Sequence, residues 1–478
     1  MPWWLAVPLA LCLLPLGPLL ARADTSLGDW NPGAGSYTIN TTTLTLTGPG
    51  TSYVGQDDSG IATFTFGEVD IPTGATVTVS GTLPLELVAT TSFTLAGTIS
   101  GDGDSAGNFS ETPGGSPGGP GGGNGGEGGY DSGAVPAGAP ATSGGGYPGL
   151  NSFSGAGGGA FGGIGAAGGY DLTGATGLGG QPTYGDLLTE LEGGSGGGGG
   201  PEGGDGGGGG GAIEVQSLTG SLSIAATGQL TADGGNGACG GTGESGGGSG
   251  GGILLEAHSY SNDGLVTADG GQGRGGYYGG GGGGGGGRIV VLYNTLSSTG
   301  TTSAAGGLSY VAAGCGTPAG TQPDPVGGTG QTLFESPTTT TSFTTSPTSP
   351  NSGSQATLAA TVLAAVGPLP SGTVSFSDAA GTLCTATLSP GSSSSNGSCT
   401  YRAGEEGADQ ITASYDPSGP DASSTDAATV SNQAALPVAV PTTGAAPGEL
   451  TELLGIAALL AGVMVLSLVT AWRPRRTS

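Results

Sequence analysis

Glycine fills 112 of the 478 positions, and most of it falls between Gly101 and Gly287, in unbroken runs such as 196–200 and 279–287. Such runs carry no side chain to bury and lose the most backbone entropy on ordering. The tract is therefore exposed loop, disordered chain, or chain ordered only through backbone hydrogen bonds. With aromatics at only 5% of the chain, little of it can build a conventional core.

Within this background a repeat stands out. Gly228-Gln229-Leu230-Thr231-Ala232-Asp233-Gly234-Gly235 returns 36 residues later as Gly264-Leu265-Val266-Thr267-Ala268-Asp269-Gly270-Gly271, and more weakly from Gly300 to Gly307. Gly97 to Gly103 reads as an earlier copy. Upstream of each copy lies an apolar segment around Leu85, Ile213, Ile253 and Ile289. One such unit cannot bury its apolar faces alone, whereas stacked units can. Before the repeats, Ile61 to Phe66, Ala75 to Val79 and Leu83 to Leu87 alternate apolar and polar residues, the signature of short strands.

The segment Gly74-Ala75-Thr76-Val77-Thr78-Val79-Ser80-Gly81, followed by the Gly-x-Leu-x-Ala-Asp-Gly-Gly turns, resembles the glycine-rich, β-helix-like surface proteins of bacteria over roughly residues 60 to 307. That resemblance implies a surface or wall component and no particular chemistry. A stretch rich in Thr, Ser and Pro, 336–352, reads as a linker to a second domain. There, Pro370-Ser371-Gly372-Thr373-Val374-Ser375-Phe376-Ser377-Asp378 and Ile411-Thr412-Ala413-Ser414-Tyr415-Asp416 resemble the bacterial Ig-like repeat domain, which implies a spacer or adhesive module.

The two ends of the chain suggest export. Residues 1–23 have the apolar core and the Ala21-Arg22-Ala23 pattern of a signal peptide, although its first residues lack the usual positive charge. Near the other end, an apolar run of twenty residues, 453–472, precedes Arg473, Arg475 and Arg476. At ~1.5 Å rise it would make ~30 Å of helix, the thickness of a bilayer core, with the basic end (473–478) cytoplasmic. Val440-Pro441-Thr442-Thr443-Gly444, in the segment 434–452, resembles the LPxTG sorting signal, with valine where that family has leucine. The resemblance implies transpeptidase cleavage between Thr443 and Gly444; an uncleaved helix is the alternative.

The expected fold class is therefore all-β: a glycine-rich parallel β-solenoid over 24–335, an Ig-like β-sandwich over 353–433, and one C-terminal transmembrane helix. Charge narrows the function. There are 35 acidic against 7 basic residues and no lysine, so the phosphate contacts that nucleic-acid binding requires are missing. The expected partners are the cell envelope or peptidoglycan, an extracellular glycan or host surface, and the membrane through the C-terminal helix.

Beyond Cys12 in the leader, the cysteines are Cys239, Cys315, Cys384 and Cys399, an even number suited to an oxidising compartment. Cys384 and Cys399 lie on neighbouring strands of one expected domain and are expected to pair; Cys239 and Cys315 sit in separate repeats, and their pairing is left open. His258 is the only histidine, so serine-based catalysis lacks its usual base. Asp233 and Asp269, with Asp102, would stack on one face of a repeat. They read as turn-closing residues, with two sharper alternatives: a calcium ladder, or the carboxylates of a polysaccharide lyase or hydrolase of β-helix type. No resident cofactor is expected, calcium being the one ion the stacked carboxylates would suit. The leading expectation is a non-enzymatic surface protein, structural or adhesive.

Overall fold

The computed structural model describes residues 26–107, 115–129, 144–149, 154–169, 177–200, 204–239, 244–275, 279–310, 326–391 and 393–434. Over residues 26–335 two sheets face each other. One runs, neighbour by neighbour, through Thr301–Ser303, Leu265–Thr267, Gln229–Thr231, Thr98–Ser100, Ala75–Ser80, Gly35–Asn40, Thr45–Gly48 and Thr51–Val54. The other runs through Gln331–Glu335, Arg288–Ser298, Gly252–Asn262, Ala212–Ile224, Leu85–Ala89, Ile61–Phe66 and Gln56–Asp58. Alternation explains the elements: Ala75–Ser80 buries every second residue, sending Ala75, Val77 and Val79 inward. These meet Leu85, Leu87, Ile213, Val215, Ile253 and Ile289 from the opposite sheet in one core.

The repeat copies pair in parallel, in the register the sequence aligns. Ile99 sits opposite Leu230, Leu230 opposite Val266, and Val266 opposite Thr302. The upstream segments do likewise, with Leu85, Ile213, Ile253 and Ile289 in successive strands.

The expected fold class needs correction in two places. The described residues are all-β, but the first unit is not a uniformly parallel solenoid with loops. Its sheets are sandwich-like and mixed in direction, because Thr45–Gly48, Thr51–Val54 and Gln56–Asp58 fold back antiparallel and close one end. The described residues also contain no helix long and apolar enough to cross a membrane, so the expected C-terminal transmembrane helix is not part of the described fold; its segment, 453–472, lies outside the described residues.

The described part of the glycine tract follows the third of its three readings: it is a third layer held by backbone hydrogen bonds. Gly206, Gly207 and Gly208 donate to Gly126, Gly246 and Asp104; Gly209, Gly210 and Gly211 then return to the same three neighbouring strands at Gly123, Ser249 and Gly101. This three-residue period is that of a left-handed extended helix, which makes no internal hydrogen bonds and turns successive N–H groups in three directions. Each strand thus serves several neighbours. Glycine is required by close approach: a Cβ on Gly207 would lie 1.9 Å from the carbonyl oxygen of Gly235, and one on Gly271 would lie equally close to the same oxygen. Side chains survive where every third residue faces out, as at Asp233 and Asn236, Asp269 and Gln272, and Ala305 and Leu308.

The second unit is a sandwich of two four-stranded sheets around Leu358, Val362, Val374, Phe376, Ile411 and Tyr415. Its first strand, Thr339–Ser346, lies inside the stretch expected as a linker and pairs antiparallel with Gln355–Ala364. Thr and Ser there alternate with inward-facing Thr341 and Phe343, which is strand chemistry that a reading by composition takes for linker. Only residues 336–338 separate this strand from Gln331–Glu335 of the first unit.

Candidate functional site

Two sets of carboxylates are brought together by the stacking. The first is the row of repeat aspartates. Asp102 Oδ1 accepts the Asp233 N–H at 2.7 Å, and Asp233 Oδ1 accepts the Asp269 N–H at 2.7 Å. The other oxygens accept hydroxyls of the following rung, Thr231 at 3.0 Å from Asp102 and Thr267 at 3.0 Å from Asp233. Asp269 closes the row by accepting the N–H of Ala305 and the hydroxyl of Ser303, each at 2.6 Å. The aspartates therefore stack on one face as expected, but they tie each rung to the next rather than closing their own turns. Burial pushes the Asp233 carboxyl up to about 6, against the bonds it accepts. Among the described residues, no group of three or more His, Cys, Asp or Glu is placed to hold a metal ion.

The second set lies on the outward face of the other sheet and was not singled out from sequence. Parallel register puts Thr63 beside Glu86 and Glu86 beside Glu214, while Gln216 sits beside Glu256. Thr63 donates to Glu86 at 2.7 Å, and the Gln216 amide donates to Glu214 at 2.6 Å and to Glu256 at 3.0 Å. The signal was present in the sequence: a carboxylate recurs at the outward position of strands that are otherwise apolar, in Leu85-Glu86-Leu87 and Ile213-Glu214-Val215.

An outward face would ordinarily be wet, but this one is covered. On one side the turn after Asp186 packs Leu187 and Leu191 against Leu254, Val290 and Leu292. Opposite it stand the sandwich loops carrying Gly367 to Leu369 and Gly419 to Asp421. Two hollows remain between them. One of about 630 Å³ is lined by Glu190, Glu214, Gln216, Glu256, Leu187 and Pro368 among others; the second, of about 270 Å³, lies between Gln216, Glu256, Leu369 and Pro420. Burial pushes the Glu214 carboxyl up to about 7, with repulsion from Glu86 adding and the Gln216 bond opposing. Burial likewise holds Glu256 well above the usual carboxylate range, with Glu214, Glu86 and Asp421 reinforcing it.

His258 sits at the edge of this contact, where its Nδ1 bonds the Gly419 carbonyl at 3.2 Å and so carries the proton. Asn294 donates to the Asp421 carbonyl at 2.6 Å. Asp421 itself bonds the Tyr415 hydroxyl at 3.2 Å, and burial pushes its carboxyl up to about 6. Cys384 and Cys399 form a disulfide that joins the two sheets of the sandwich rather than neighbouring strands of one. Cys239 is also disulfide-bonded, while Cys12, Cys315, Thr443 and Gly444 lie outside the described residues.

Comparison with known proteins bears on the sandwich. Residues 343–439 match the family described as bacterial Ig-like domain (group 3). No curated protein matches the chain.

Proposed function

We propose that this chain is a non-enzymatic structural protein of the bacterial cell surface, in which the Ig-like unit displays the glycine-rich unit outward for adhesion to a glycan or host surface, or as part of a coat. The match of residues 343–439 to a bacterial Ig-like family carries the reading, since such domains are typical of extracellular and surface proteins. The glycine lattice supports it, because an array of backbone bonds supplies structure while presenting few side chains that could carry chemistry. The repeat aspartates support it too. Both oxygens of Asp102 and of Asp233 are occupied by rung-to-rung bonds, which leaves these two poorly disposed for proton transfer to a polysaccharide.

Attachment to the wall would use Thr443, with Gly444 and everything after it released. The test is mass spectrometry of the mature C-terminus after enzymatic digestion of the wall. An end at Thr443 bearing a wall peptide is the expected result; a chain ending at Ser478, or one recovered from the cytosol, would refute the attachment or the location respectively. Depolymerisation of any polyuronate or wall glycan, lost in D233N or D269N, would replace the structural reading with an enzymatic one.

A further inference from the structure

The carboxylate stripe lies where the two units touch, and that contact is polar at its edges. The sandwich leans on the sheet through Gly367 beside Leu292, through Gly419 on His258, and through Asp421 on Asn294. Three residues, 336–338, join the two units, so the sandwich can move as a body if this contact opens.

The charges facing the stripe come from every packed element and share one sign. Glu86 stands on Leu85–Ala89, Glu214 on Ala212–Ile224 and Glu256 on Gly252–Asn262; Glu190 comes from the covering turn and Asp421 from the sandwich loop. Thr63, Gln216 and Asn294 are neutral, and His258 is committed to the Gly419 carbonyl. Among the described residues, no lysine or arginine lines either hollow. The nearby cation, Arg288, is engaged instead with the Tyr184 carbonyl, the Gln331 side chain and the Phe161 ring. A docked sandwich that helps remove water from Glu214 and Glu256, with no cation lining the hollows it forms, is stable only while protons remain on them.

We propose that the Ig-like unit is a pH-operated arm: it docks against the Glu214–Glu256 pair in acid and swings free when these carboxyls ionise. The sign follows from burial. The sandwich loops supply part of the cover over Glu214 and Glu256, and Asp421 adds like charge beside Glu256, so the docked state holds more protons than the free one. Docking is therefore strongest below the usual glutamate range near pH 4.5 and weakens as pH climbs to about 7, the value to which Glu214 is raised. One linked carboxyl weakens the docking equilibrium by up to about tenfold per pH unit across that window.

The test is hydrogen exchange of the full chain between pH 5 and pH 8, with each amide normalised to its intrinsic rate. The loops 367–371 and 417–422 are to be compared with the core strand Ala75–Ser80. Loop protection should fall at least about tenfold with rising pH while the core strand stays protected. In E214Q/E256Q, which mimics the protonated pair, protection should persist to pH 8, and H258Q should leave the midpoint where it is. Loop protection that does not change with pH would overturn the proposal. So would an unchanged profile in E214Q/E256Q, a midpoint that moves with His258, or parallel loss in the core strand.

Discussion

Replacing Gly284 by alanine isolates the glycine lattice from every other source of stability. The added Cβ would lie 1.9 Å from the Gly248 carbonyl oxygen and 2.5 Å from its carbon. That oxygen accepts the Gly271 N–H at 2.8 Å, and Gly271 accepts the N–H of Gly284 itself at 2.9 Å. Gly307 bonds the Gly284 carbonyl on another side, and Gly248 bonds the Gly235 carbonyl. Relief of the clash needs a retreat of more than ~1 Å, enough to stretch these bonds past the ordinary limit of about 3.2 Å.

Four buried backbone bonds at about 1 kcal/mol each put the cost near 4 kcal/mol, less whatever relaxation recovers. Gly33→Ala is the control: nothing lies within 4 Å of its added Cβ, so its effect should stay within about 0.5 kcal/mol. Urea unfolding followed by fluorescence of Trp30, which is buried in the core of the first unit, measures both. If G284A shifts the midpoint no further than G33A, the strands are not packed as closely as described.

Asp233→Ala should destabilise the first unit by about 2 to 3 kcal/mol, because it removes the acceptor of both the Asp269 N–H and the Thr267 hydroxyl. D233N, which keeps an acceptor and removes repulsion from Asp102 and Asp269, should cost less than half as much in the same urea titration; equal losses would show that charge, not hydrogen bonding, holds the row. Cys384→Ala with Cys399→Ala opens a closure of 15 residues and should cost the sandwich about 3 kcal/mol on the chain-entropy model. Exchange of the core amides around Val374 and Ile411 reads this directly, and protection equal to that of the parent chain would contradict it.

Much of the strand pattern was legible because it depends on local chemistry. Alternation marked Ala75–Ser80, and the 36-residue spacing marked which strands lie side by side. The glycine tract was legible only as a choice among three states. Hydrophobic periodicity cannot speak where there are no side chains; the available signal was the recurrence of Asp233 and Asn236, or Asp269 and Gln272, at every third position. The linker was misread for a related reason. Residues 339–346 are nearly all Thr and Ser, which composition assigns to flexible chain, yet β-branched threonine suits an edge strand.

Of the candidate sites, the aspartate row could be placed from the repeat, because register alone stacks identical residues. The glutamate stripe could not be. It depends on the sandwich and the Asp186 turn covering a face that alternation marks as exposed, and that covering is a long-range fact.

The lattice also decides how the molecule meets force. A strand at the edge of a sheet can be peeled away one hydrogen bond at a time, since it has a single bonded neighbour. A strand such as 206–211 is fastened on several sides at once, and drawing it out breaks bonds to the segments around 123, 246 and 101 in the same step. Tension entering through the sandwich first peels the edge strand Gln331–Glu335 from Arg288–Ser298, and behind that strand it meets a lattice with no such line to unzip, whose toughness comes from the part of the chain with the fewest side chains.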